Sequence, residues 1–193
     1  MARKALIEND ALIDRLSATF RDVGYEAASL ALLSEATGLK KASLYHRFPG
    51  GKEQMGLEVL QEAGRWLTKH VLEPLAGGGS PRERITAMTR ELDAFYCGGK
   101  QACLLNLLSS TIGEASPFKA SIRQMFEAFV EALASVVAEA GYSTTTARDR
   151  AVRGVALIQG SLVLARGLES TEPFRKALDA LPGELLADMG ERA

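Results

Sequence analysis

Residues 37–52 read Thr37-Gly38-Leu39-Lys40-Lys41-Ala42-Ser43-Leu44-Tyr45-His46-Arg47-Phe48-Pro49-Gly50-Gly51-Lys52. Two turns bracket a short helical stretch. Gly38 can take the left-handed conformation that ends one helix tightly, so the next leaves at a steep angle from about Lys41 and stops at Phe48, before Pro49-Gly50-Gly51. Upstream, Leu12, Leu16, Phe20 and Val23 recur at helical spacing and share one face of a first helix that stops at Gly24. Ser29 is placed to cap a second helix from Leu30 to about Ala36, its hydroxyl accepting from an orphan amide of the first turn. Downstream, Lys52 opens a longer helix that carries Met55, Val59, Leu60, Ala63, Trp66 and Leu67 toward Pro74. Two short helices joined by a tight glycine turn and braced by a first helix have the outline of a helix-turn-helix.

The same periodicity continues to the end of the chain. Ala76-Gly77-Gly78-Gly79-Ser80-Pro81 is the clearest linker, and beyond it helices are expected near 82–96, 102–113, 117–140, 145–168 and 172–190, with Pro182-Gly183 set to kink or split the last. No alternating strand pattern and no internal repeat stand out. The fold class expected is therefore all-α, with about nine helices.

With 193 residues, 47% hydrophobic and 24% charged, the chain has the composition of a globular domain and not of a disordered, collagenous or disulfide-stapled one. Cys97 and Cys103 match neither paired zinc ligands nor a disulfide framework, so no metal is expected. The opening residues are charged where a signal peptide has its apolar core. The uncharged run Gly154 to Ala165 is too short for a bilayer, so the expected location is cytoplasmic with no membrane partner. Nothing resembles a GxSxG elbow, a phosphate-cradling glycine loop or a carboxylate pair with histidine; the chain reads as no enzyme and as needing no cofactor.

The formal net charge of -1 gives no global attraction to a polyanion. Charge is instead concentrated locally. The window from Ala36 to Lys52 holds Lys40, Lys41, Arg47 and Lys52 and none of the 24 acidic residues. A helix entering a major groove needs first-turn side chains that reach base edges, which Lys40, Lys41 and Ser43 can supply. It also needs cations and hydroxyls that grip phosphates, which Tyr45, Arg47 and Lys52 can supply, Lys52 with help from the free amides that open the fourth helix. His46 is a lesser phosphate candidate beside a core aromatic, and Leu44 and Phe48 are core.

Residues 25–53, and above all Leu44-Tyr45-His46-Arg47-Phe48-Pro49-Gly50-Gly51-Lys52-Glu53, resemble the N-terminal signature of the TetR family of one-component transcriptional regulators. The Pro-Gly-Gly-Lys string is similar to its LmrA/YxaF-like branch, which Cys103 early in the sixth helix also suits. The resemblance implies a three-helix DNA-binding domain at residues 1–52 and a helical ligand-binding and dimerisation domain at 53–193. It places Lys41, Ala42, Ser43, Tyr45, Arg47 and Lys52 at DNA-contacting positions. Ala28 stands where the family often has a hydroxyl, which leaves Ser29 as the phosphate contact, and Ala42 replaces a frequent glycine.

From Ala151 to Leu168 the sequence is apolar nearly all round, so that helix needs a cover on both sides, and a second copy of the chain is the simplest second cover. Gly154, Gly160 and Ser161 would permit close backbone approach. The interface expected comprises Val152, Val155, Gln159 and Leu162 with Phe174, Leu178 and Leu181 of the last helix, two helices from each subunit. A core helix of a monomer is the alternative. An effector pocket is expected among Trp66, His70, Tyr96, Cys103, Asn106, Phe126, Phe129 and Gln159, apolar walls with polar tips, where Gln159 in an apolar stretch requires a partner. Cys97 and Cys103 read as inert thiols, having only Lys100 nearby to stabilise a thiolate.

The resemblance implies a homodimeric repressor of a palindromic double-stranded DNA operator: a small apolar effector fills the C-terminal domain, the fourth helix swings, and the recognition helices lose their match to successive major grooves about 34 Å apart. Two other readings remain, a DNA-binding regulator without a small-molecule effector and a helical protein-interaction adaptor.

Overall fold

The expected first helix forms because Leu12, Leu16 and Phe20, with Ile13 beside them, bury one stripe completely. In the computed structural model, which describes residues 9–109 and 116–187, the described residues form nine helices and no strand. These are α1 (Asn9–Val23), α2 (Leu30–Thr37), α3 (Lys41–Arg47), α4 (Gly51–Leu67), α5 (Pro81–Phe95), α6 (Leu104–Ser109), α7 (Lys119–Glu139), α8 (Thr144–Gly167) and α9 (Glu172–Leu186). The all-α class thus holds, and most ends fall within a residue or two of their expected positions, where caps fray. Residues 110–113 of the helix expected over 102–113, and 188–190 of the last one, lie outside the described residues. Pro182 does not split α9, which runs on past it to Leu186.

α4 does not stop before Pro74. It passes through a π-helical turn, Thr68–Leu72, into a short α-helical segment, Glu73–Ala76. Pro74 has no N–H to give to the helical ladder, and Glu73 N–H reaches back to the Thr68 carbonyl, one residue further than an α-helix requires. The linker then ends at Ser80, whose side chain accepts from Glu83 N–H while the Glu83 carboxylate accepts from Ser80 N–H, a reciprocal cap that starts α5.

The chain divides into two compact units, Met1–Ala63 with Leu104–Ile122, and Gly64–Cys103 with Arg123–Ala193. The first runs past the expected boundary at residue 52 because Met55 and Val59 of α4 enter the same core as Leu16, Phe20, Leu33, Leu44 and Phe48. It also takes in Phe118, which is buried and meets the Tyr25 ring edge-on at 4.9 Å. Gly56 makes that insertion possible, since a Cβ there would stand 2.8 Å from Phe118 Cζ.

In the second unit α8 packs along α9. Gly154 lets α9 come close: a Cβ there would stand 3.0 Å from Leu185 Cδ2 and 3.3 Å from Leu181 Cδ1. This glycine therefore serves the chain's own α9, whereas a Cβ on Gly160 would meet nothing within 4 Å. Tyr142 hydroxyl donates to the Ala187 carbonyl at 2.7 Å and Arg150 Nη1 to the Leu185 carbonyl at 3.0 Å, satisfying carbonyls at the end of α9. Arg84, buried, donates to the Leu75 carbonyl at 2.9 Å and pairs with Glu139, tying the end of the α4 extension to the last turn of α7.

Candidate nucleic-acid interface

Local chemistry fixes the turn that presents α3. Ser29 Oγ accepts from Leu32 N–H at 3.3 Å and caps α2, and Gly38, at φ 69°, ends it in the left-handed region that a side chain rarely adopts. Thr37 hydroxyl, fully buried, donates to the Leu33 carbonyl at 2.6 Å, Ser34 hydroxyl donates to the Leu39 carbonyl, and Arg15 Nη1 donates to the Thr37 carbonyl at 3.2 Å. Both hydroxyls of the turn and the Thr37 and Leu39 carbonyls are thereby held by their neighbours. Leu44 and Phe48 then anchor α3 with no exposed surface at all.

What remains outside is polar except for the small Ala42. Lys40, Lys41, Ala42, Ser43, Tyr45 and His46 are all exposed, Tyr45 at 48%, and together they form the solvated face of α3. Ser29 is exposed as well; its oxygen accepts within the cap while its O–H stays available as a donor. These seven sequence-derived candidates thus lie at the surface, Ser29 at the N-cap of α2, Lys40 at the N-cap of α3 and the other five on α3.

The other two are committed elsewhere. Lys52 Nζ donates to the Tyr25 carbonyl at 3.0 Å and the Glu26 carbonyl at 3.3 Å, and lies 4.5 Å over the Tyr25 ring. Two of its three protons therefore pin the α1–α2 turn onto α4. Burial, then the Glu53 and Glu26 carboxylates, raise the Tyr25 phenol above its usual range, so the ring beneath Lys52 stays neutral. Arg47 pairs with Glu58 and also donates to Asn9 Oδ1 at 2.6 Å. Sequence reasoning missed Glu58 and Asn9: nothing local signals partners 11 and 38 residues away.

The expected effector residues fall in both units. Asn106 is exposed and belongs to the first, and the other seven belong to the second. Trp66 stacks on Phe95 with centroids 3.7 Å apart and on His70 at 5.2 Å, and His70 Nδ1 stands 2.9 Å from Glu91 Oε2. Tyr96 meets Phe95 and Phe174 edge-on, and Cys103 and Phe129 are buried, with Phe126 half-buried. Gln159 Oε1 is buried without a hydrogen-bond partner. Of the thiols, Cys97 is exposed.

The outward face of α8 differs from the expected one. Val155, Leu162, Phe174, Leu178 and Leu181 are buried within the chain, because α8 and α9 turn them toward each other and the unit's core. Val152 is exposed as expected, joined by Leu157, Val163, Leu164 and the C-cap Leu168. A groove between α8 and α9 runs beside them, lined by Ala156, Gly160, Leu164 and Ala180 with Asp149, Arg153, Lys176 and Glu184 at hand. No described helix is long and apolar enough to cross a membrane.

Two family models match this chain. Residues 12–59 fit the bacterial regulatory proteins of the tetR family, and residues 81–180 fit the C-terminal domain of LmrA/YxaF-like transcriptional regulators. The HTH-type transcriptional regulator LmrA of Bacillus subtilis is 24% identical over 166 residues, covering 84% of this chain and 88% of that protein. A TetR transcriptional regulator from Legionella pneumophila superposes with a TM-score of 0.80 at 20% identity, over 93% of this chain and 97% of its own. The regulator CifR, solved with a 26bp double-strand operator DNA, gives 0.75 at 24% identity over 96% and 99%. With one family model over its helix-turn-helix and another over more than half of its length, the chain belongs to the TetR family, LmrA/YxaF-like branch, as a DNA-binding transcriptional regulator and not an enzyme.

Proposed function

We propose that the chain is a ligand-responsive repressor that binds a palindromic operator as a homodimer and leaves it when a small apolar effector enters the C-terminal domain. Residues 1–52 carry the DNA contacts and 53–193 the effector and the dimer. The observation that carries this reading is the uncovered apolar face of α8, where Val163 and Leu164 are more than half exposed. Such a face on a helix already packed on its other side is stabilised by a second copy, through a bundle of α8 and α9 from each subunit. A two-fold pair presents two α3 helices, and a two-fold pair of readers selects a palindrome.

Lys40, Lys41, Ala42 and Ser43 face base edges in this arrangement, and Ser29, Tyr45, His46 and the remaining N–H of Lys52 face phosphates. The relative CifR, solved on its operator, supports that mode of action. Gln159 Oε1 offers an acceptor in apolar surroundings, which favours an effector that is apolar with one hydrogen-bond donor. Release follows only from the difference in effector affinity between the DNA-competent and DNA-incompetent states.

The test is selection of bound molecules from a random double-stranded DNA pool, with sedimentation equilibrium of the free protein. A dimer and an enriched palindrome with half-sites one helical turn or a multiple apart are expected. A monomer, or a single unrepeated half-site, overturns the dimeric reading, and absence of enrichment at every salt concentration overturns operator binding.

A further inference from the structure

Arg47 ends the recognition helix, where its cation is read from sequence as a phosphate contact. The structure gives that guanidinium other partners. Glu58, on α4, receives it with both carboxylate oxygens: Arg47 Nη2 donates to Oε2 at 2.8 Å and Nη1 to Oε1 at 3.2 Å. Nη2 donates its second proton to Asn9 Oδ1 at 2.6 Å, at the start of α1. Gln54 Nε2 donates to Glu58 Oε1 at 2.9 Å, and Gln54 Oε1 accepts from Gly50 N–H at 2.9 Å. The guanidinium carbon lies 4.6 Å over the ring of Phe48, the fully buried residue that closes α3. One carboxylate therefore gathers the end of α3, the α3–α4 turn and α4, and through Arg47 the start of α1.

A bidentate fork of this kind fixes an angle as well as a distance, because two parallel N–H···O bonds resist rotation. A DNA phosphate would have to compete for the same fork, and winning it would leave the Glu58 carboxylate, only 24% exposed, with Gln54 alone. The pair is also neutral as a whole, so it releases no counterion when DNA arrives.

We propose that Glu58 is a positioning residue for operator recognition: through its bidentate pair with Arg47 it sets the orientation of α3 on α4, and Arg47 is a strut and not a phosphate ligand. The inference rests on the reading that α3 docks on DNA, which the wild-type isotherm tests separately; the variants are scored only relative to wild type on the same duplex.

The experiment titrates full-length wild type, Glu58→Gln, Arg47→Met and the double variant Arg47→Glu with Glu58→Arg against a selected operator duplex and a random duplex, from 50 to 200 mM salt. Thermal melts of each protein accompany the titrations. Both single variants are expected to lose about tenfold on the operator, to bind the random duplex as wild type does, and to keep the wild-type slope of log affinity against log salt. A folding defect instead lowers both duplexes together. The charge-swapped pair is expected to recover operator affinity to within a few-fold of wild type and serves as the decisive variant if either single one melts early. Tighter binding by Glu58→Gln, a slope flattened by about 0.9 in Arg47→Met, the value of one lost phosphate contact, or a charge-swapped protein weaker than both single variants overturns the proposal. Unchanged operator affinity in every variant, or no wild-type binding to either duplex, overturns it too.

Discussion

The recognition helix α3 and the long helix α8 are both anchored by buried apolar side chains, yet they meet solvent in opposite ways. Around buried Leu44, α3 and its N-cap expose Lys40, Lys41, Ser43, Tyr45 and His46; around buried Leu162, α8 exposes Val152, Leu157, Val163 and Leu164. A polar outer face is at rest in water and available to an anion. An apolar one leaves about 25 cal/mol per Å² ungained until something covers it. The two faces therefore suit the two partners proposed for them, a phosphate backbone in one case and a second copy of the chain in the other.

The comparison can be broken most forcefully from the inside. Phe48→Ala and Leu162→Ala each empty a site with almost no exposure, and each is expected to cost about 3–5 and 2–5 kcal/mol, respectively, in urea unfolding. If Leu162→Ala left the free energy of unfolding unchanged while splitting the dimer, the inner and outer faces of α8 would have to be exchanged. Leu164→Glu and Gly160→Arg act from the outside: neither side chain position is filled by the chain itself, so the monomer should keep its stability to within about 0.5 kcal/mol. Both should raise the dimer dissociation constant at least about tenfold in sedimentation equilibrium. Gly154→Ala is the counterpart: its methyl would stand 3.0 Å from Leu185 Cδ2 and 3.3 Å from Leu181 Cδ1, so both leucines must give by a few tenths of an ångström, and urea unfolding reads whether that cost outweighs the helix propensity gained.

Effects on the polar face are smaller. Tyr45→Phe removes one phenol donor and should weaken operator binding by about 0.5–1.5 kcal/mol in a fluorescence titration, with an unchanged melting temperature. Lys40→Ala and Lys41→Ala are each expected to reduce affinity modestly. They differ in a telling way: the salt slope flattens by about 0.9 for a lysine on a phosphate and stays put for one on a base edge.

The contrast also explains what was legible in the sequence. Around α3, inside and outside differ sharply in polarity, and the punctuation is local: Ser29 as cap and Gly38 in the left-handed region follow from residue type, and so do the bounds of α2 and α3. On α8 both sides are apolar, so the pattern announces two covers without saying which side is which. That is why Val155, Leu162, Phe174, Leu178 and Leu181 read as interface and are core. Contacts made across folded chain had no local signal either. The grip of Glu58 on Arg47 is one; another is Phe118, far along the chain, seated against Tyr25 and the bare backbone of Gly56. The π turn before Pro74 belongs to the same group, since a proline in a helical pattern reads as a stop unless the ladder shifts around it.

That shifted ladder bears on how the chain can change length. A wide turn is an α-helix holding one residue more than its hydrogen bonds demand. Deleting a single residue between Thr68 and Leu72 would let the ordinary ladder close while Leu60 on one side and Leu75 on the other keep their inward directions. Elsewhere in an α-helix the same deletion turns every following side chain by about 100° and exposes its buried stripe. The segment is thus the place in this helix where losing one residue should disturb the buried side chains on either side least.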